Sequence, residues 1–182
     1  MMRGRVTLAV LSLALITASS GRKQALPASS PETPTEKLAA RVKALEELVP
    51  DQAHIMADVG DHFANLWFAG RAESWPLADF YLGETKSHLR WAVRRIPIRK
   101  DNQGRDINLG KILEAFENSE LTQLKGTIDR KDKTAFAKTY RASLTMCYAC
   151  HKAADKPYLR PQVPTEPASR IMNFDPKADW PL

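Results

Sequence analysis

Residues 132–151 read DKTAFAKTYRASLTMCYACH, and the reading of the whole chain starts from them. Asp132 is a candidate helix N-cap, because its carboxylate can accept the unpaired N–H groups of a first turn. From there Phe136, Tyr140, Ser143/Leu144, Cys147 and Cys150/His151 recur every three or four residues. That spacing is one stripe of a 3.6-residue helix. No proline falls anywhere in residues 98–156, so nothing forces this helix to break.

Working outward, the same period recurs upstream. Residues 36–49 carry Leu38, Val42, Leu45 and Leu48/Val49, a short leader helix that offers its stripe to a neighbour. Residues 51 to about 69 start on Asp51 as a cap and carry Ile55, Val59, His62/Phe63, Leu66 and Trp67. Ser74 is expected to cap a third segment with Pro76 in its first turn, running to about residue 96. A polar loop, 99–105, leads to a segment over 108–129 with Leu109, Ile112/Leu113, Phe116, Leu124 and Ile128. No stretch alternates with period two for long enough to predict a strand. The connections are short, which favours antiparallel neighbours. The expected fold is all-α: an antiparallel up-down four-helix bundle over residues 51–156, preceded by the leader helix at 36–49.

Prolines mark the edges of that bundle. Pro27, Pro31 and Pro34 belong to a linker at 21–35, and six of the 12 prolines fall in residues 157–182. That tail cannot be helical, yet Tyr158, Leu159, Ile171, Phe174 and Trp180 make it too apolar for a free linker. It is expected to drape over the bundle. At the other end, residues 1–20 read as a signal peptide, with Arg3 and Arg5 before an apolar stretch at 6–18 and small residues at 18–20. As a helix those 13 apolar residues reach roughly 20 Å, short of the ~30 Å needed to span a bilayer. The expected destination is the periplasm, with nothing membrane-spanning once the leader is removed.

Composition agrees with a globular protein: 43% apolar, 26% charged and only 8 glycines. Two cysteines are too few for a disulfide scaffold. The net charge of +6 falls by two, to +4, with Arg3 and Arg5 gone. Lys86, Arg90 and Arg94 repeat every four residues and make one helix face basic, suited to steering an acidic redox partner. No nucleic-acid reader motif accompanies it.

Cys147-Tyr-Ala-Cys150-His151 is the C-x-x-C-H pattern of c-type haem attachment. Two thiols one helical turn apart can add to two vinyl groups on one edge of a porphyrin. The histidine that follows then lies beneath the ring and offers its imidazole to iron. A redox C-x-x-C belongs to a strand-to-helix unit, which this chain lacks. A structural zinc site needs a fourth ligand, and an inert disulfide gives His151 no role. The reading therefore calls for one covalent haem c and its iron, held by Cys147, Cys150 and His151.

With that motif near the end of the fourth helix, the chain resembles the class II c-type cytochromes, the cytochrome c-prime group. The resemblance covers residues 51–155 and rests on 147–151. It implies a four-helix bundle with haem near one end, His151 as proximal ligand, and a possible homodimer through the first two bundle helices. Family members usually end soon after the motif, whereas this chain adds a tail and a leader helix. In an up-down bundle the start of the first helix lies beside the end of the fourth, so Met56 is the expected sixth ligand. Related six-coordinate bundles use a methionine near that place; His62 is the alternative. His54 and His88 are read as ordinary surface or boundary residues, and Met146 as turned off the stripe that holds Cys147. Phe63, Trp67, Tyr140 and Tyr148 either line the haem or fill the core. The expected function is that of a single-electron carrier and not an enzyme. The alternatives are a five-coordinate protein binding nitric oxide or carbon monoxide and, less favoured, a peroxidase-like haem enzyme.

Overall fold

The computed structural model describes residues 33–179. The expected signal peptide (1–20), most of the linker (21–35) and residues 180–182 lie outside them. The fold is mostly helical with little strand. Two compact units divide the chain, Met1–Lys43 and Ala44–Leu182, with the boundary inside the first described helix. That helix, α1, is Pro34–Leu48. It opens on a capping box: Glu36 N–H donates to Thr33 Oγ1 at 3.2 Å while Thr33 N–H donates to Glu36 Oε2 at 2.7 Å. None of its side chains is buried, and Leu38, Val42, Leu45 and Leu48 are all exposed.

In the second unit, α2 (Gln52–Arg71) and α3 (Trp75–Arg95) pack along each other as a hairpin. Asp51 caps α2 as the sequence predicts, accepting His54 N–H at 2.9 Å. Ser74 precedes α3 and Pro76 sits in its first turn, but the serine side chain makes no capping bond. Leaving α2, Glu73 adopts φ 62 and its neighbour Ser74 bonds back to the Ala69 carbonyl at 2.9 Å. Lys131 and Asp155 repeat this left-handed ending after the two later helices. Helix ends of this type usually use glycine, so these stops carry no glycine signal in the sequence.

The polar loop after α3 is a hairpin, with β1 (Ile98–Lys100) antiparallel to β2 (Asp106–Asn108) and Arg99 opposite Ile107. Asp101 closes it by accepting the N–H groups of Gln103 and Arg105, with Gly104 at φ 78. Strands of three residues are too short to display alternation. The next segment is not one regular helix: α4 (Leu109–Phe116) passes through a π turn (Glu117–Leu121) into α5 (Thr122–Asp129). The wider turn lets Phe116 and Leu121, five residues apart, both be buried. Ser119 and Thr122 hydroxyls donate to the Ala115 and Glu117 carbonyls at 2.6 and 2.7 Å around that step.

The last helix, α6 (Lys133–Ala153), starts on Asp132, which accepts Ala135 N–H at 2.9 Å. It packs on α2, α4 and α5. The core between them is aromatic. Phe136 is fully buried with Trp67, Trp75 and Tyr140 around its ring, and Tyr140 stacks on Phe63 at 4.4 Å between centroids. The Tyr140 hydroxyl, buried, donates to the Phe63 carbonyl at 2.9 Å, which ties α6 to α2.

Candidate functional site

Cys147, Cys150 and His151 lie at the end of α6 and line one cavity of about 790 Å³. Helical spacing alone puts these three on one face; packing of α2, α3 and α4 builds the opposite wall. Met56, Val59 and Phe63 come from α2, Leu89 from α3, and Leu109, Ile112 and Phe116 from α4. The volume lies within the roughly 300–1,000 Å³ of small-molecule and cofactor sites. Its charged lining residues are all cationic: Arg99, Lys156 and Arg160. Arg99 is held in place by donating from Nε to Gln52 Oε1 at 2.8 Å, while Gln52 Nε2 donates to the Ala92 carbonyl at 2.8 Å. The cavity thus suits a ligand with a large apolar body and anionic groups.

The chain beyond α6 shapes the site. Lys156 N–H bonds to the His151 carbonyl at 2.8 Å and turns the backbone sharply back. Leu159 then presents its carbonyl to His151 Nδ1 at 3.0 Å. A carbonyl only accepts, so Nδ1 is the donor and Nε2 is the ring nitrogen outside this bond. Tyr148 turns outside the cavity and its hydroxyl donates to the Pro157 carbonyl at 3.2 Å. Further along, Ser169 N–H donates to Asn65 Oδ1 at 3.1 Å, and Phe174 packs against Phe68 and Tyr81. Residues 157–164 therefore close one side of the cavity and 169–174 lie on α2 and α3.

The other expected site residues divide cleanly. Met56 lines the cavity across from the motif, and Met146, expected to point off the stripe, lines it from α6 beside Cys147. Met146 is half-buried because residues 156–164 extend the wall around α6. His62 does not line the cavity; its ring packs on His88 of α3 at 4.7 Å. Phe63 and Tyr140 line it, whereas Trp67 lies in the core stack with the Arg141 guanidinium over its face. His54 stays exposed beside Asp51. His88 sits at the boundary, part-buried with its ring against His62. The signal for it was present: Asp58/His62 and Glu84/His88 are both i,i+4 pairs, on helices that the short 72–74 connection makes antiparallel.

Burial and the neighbouring Cys150 push the Cys147 thiol up to about 12, and burial raises Cys150 too. The folded chain with free thiols therefore holds the Cys147 proton to higher pH than the unfolded chain does. The stabilisation is complete below about pH 8.5 and falls by about 1.4 kcal/mol per pH unit as pH rises from 9 toward 12. Urea unfolding of the free-thiol chain against Cys147→Ser between pH 8 and 10.5 should show this difference growing with pH. Iodoacetamide should label Cys150 before Cys147 in the native state, with the order lost in urea.

Compared with known proteins, the chain matches no family model, no curated protein and no solved structure. Among the described residues no helix is long and apolar enough to cross a membrane.

Proposed function

We propose that this chain is a monohaem c-type cytochrome of the class II, cytochrome c-prime-like kind that carries single electrons in the periplasm. On this reading α2, α3, the α4–α5 segment and α6 are the four helices of an up-down bundle. The observation that supports it most is that Cys147, Cys150 and His151 line a single apolar cavity whose charged residues are all cationic. The donor set fits the group: two thiols one turn apart for thioether bonds, and an imidazole whose Nδ1 is engaged by Leu159 so that Nε2 is free. When bound, haem supplies an iron that alternates between two oxidation states.

The chain's own residues have distinct tasks. Cys147 and Cys150 tether, His151 ligates, and Arg99, Lys156 and Arg160 neutralise anionic substituents. Val59, Phe63, Leu109 and Phe116 keep water out, which disfavours the more highly charged oxidised form and raises the potential. Met56, on the wall facing the motif, would offer its thioether to the iron. An acidic partner docks on the basic face of α3, where Arg90 is already committed to Glu117 at 2.7 Å, leaving Lys86 and Arg94 for recognition.

The full-length protein, matured in a host that attaches c-type haem, should show a Soret band that stays with the polypeptide in denaturant. A mass equal to the amino acids alone overturns the proposal. For the sixth ligand, oxidised protein should show a methionine–iron band near about 695 nm that Met56→Ala abolishes. A high-spin spectrum that shifts with carbon monoxide in the parent would favour gas binding instead.

A further inference from the structure

We infer that His62, Glu84 and His88, with Asp58 beside them, form a second, separate site, which binds one divalent transition-metal ion of the zinc type between α2 and α3. Ligand atoms of His62, Glu84 and His88 all lie within 4.8 Å of one another. Asp58 Oδ2 is 4.0 Å from His88 Nε2. Each helix contributes one carboxylate and one imidazole at i,i+4, so the two pairs face each other across the hairpin. None of the four lines the cavity that holds Cys147.

Two observations point to a metal and not to a simple ion pair. His62 Nδ1 is buried and has no hydrogen-bond partner, and it is the one such side-chain atom among the described residues. A buried polar atom without a partner is costly, and a salt bridge of His88 with Asp58 and Glu84 does nothing to satisfy it. Second, His88 Nδ1 donates to the Glu84 carbonyl at 2.9 Å, so Nε2, 4.0 Å from Asp58 Oδ2, is the ring nitrogen left for a metal. That backbone bond is the usual outer-shell partner of a metal-bound histidine.

Two imidazoles with carboxylates and no thiolate suit zinc, nickel or copper(II), and not calcium or magnesium. Bonds of about 2.0–2.2 Å require the ligand atoms to close by roughly 1 Å. Glu84, with 37% of its side chain exposed, has the freedom to make that movement. Bound there, the ion cross-braces α2 and α3.

Chelator-treated, haem-loaded full-length protein should take up one Zn²⁺ per chain in calorimetric titration, confirmed by elemental analysis, and should melt several degrees higher in excess zinc. His88→Gln, His62→Gln and the more exposed Glu84→Gln should each weaken uptake tenfold or more and remove the shift in melting. Should a histidine variant fail to fold, Glu84→Gln still reads the site. No uptake at 100-micromolar zinc (a concentration of about 10⁻⁴ M), or uptake unaltered in every variant that folds, overturns the inference. The site is independent of haem. If the Soret test fails, the same titration on Cys147→Ser/Cys150→Ser, whose motif thiols are gone, decides it alone.

Discussion

Cys147→Ala/Cys150→Ala should leave the protein with the mass of its polypeptide alone, no Soret band after dialysis, and a melting temperature roughly 8–16 °C lower. A group held by thioethers stays at high local concentration beside its cavity. Where that concentration exceeds the dissociation constant about a thousandfold, binding to the native state contributes about 4 kcal/mol. For a chain of this length each kcal/mol moves the melting temperature by roughly 2–4 °C. Removing the tether leaves the wall of Val59, Phe63, Leu109 and Phe116 facing a cavity of about 790 Å³ with nothing apolar to fill it. Cys150→Ala alone keeps one attachment and should retain most of the absorbance. A double variant that melts with the parent would mean the cavity has no resident group, and the cytochrome reading would fall.

Gly70→Ala should destabilise the fold by about 3 kcal/mol or more, through overpacking. Gly70 is in the last turn of α2 and is buried. A Cβ there would come within 2.3 Å of two ring atoms of Phe136 and 2.7 Å of a third. That ring cannot move aside, because it is fully buried with Trp67, Trp75 and Tyr140 around it. Phe136→Leu alone should cost stability by loosening the core. Combined with Gly70→Ala it should cost less than the two single losses added, a coupling that a double-mutant cycle by urea unfolding would measure. Additive losses would show that the close approach of α2 to α6 is not what demands glycine.

Local chemistry was legible and long-range chemistry was not. The starts of α2 and α6 were readable because a carboxylate one residue ahead of an apolar stripe satisfies N–H groups within its own turn, as Asp51 and Asp132 do. Ser74 marked the right boundary for α3 without making the bond expected of it. The π turn stayed hidden because it depends on burying Phe116 and Leu121 together, a demand set by neighbouring helices. The hairpin at 98–108 stayed hidden because three-residue strands have no period to read. The stripe of α1 was visible, but periodicity does not say whether a partner covers it.

By itself the sequence determined the helical character of the chain and the convergence of Cys147, Cys150 and His151. Both depend on spacings shorter than two helical turns, where backbone geometry leaves little choice. Tertiary packing alone decided what faces them. The rotation of α2 against its neighbours sent Met56 into the cavity and His62 away toward His88, although both belong to one helix. The turn after α6 brought the Leu159 carbonyl onto the His151 ring. No periodic pattern encodes such pairings, because they follow from how whole surfaces fit together and not from the residues that end up touching.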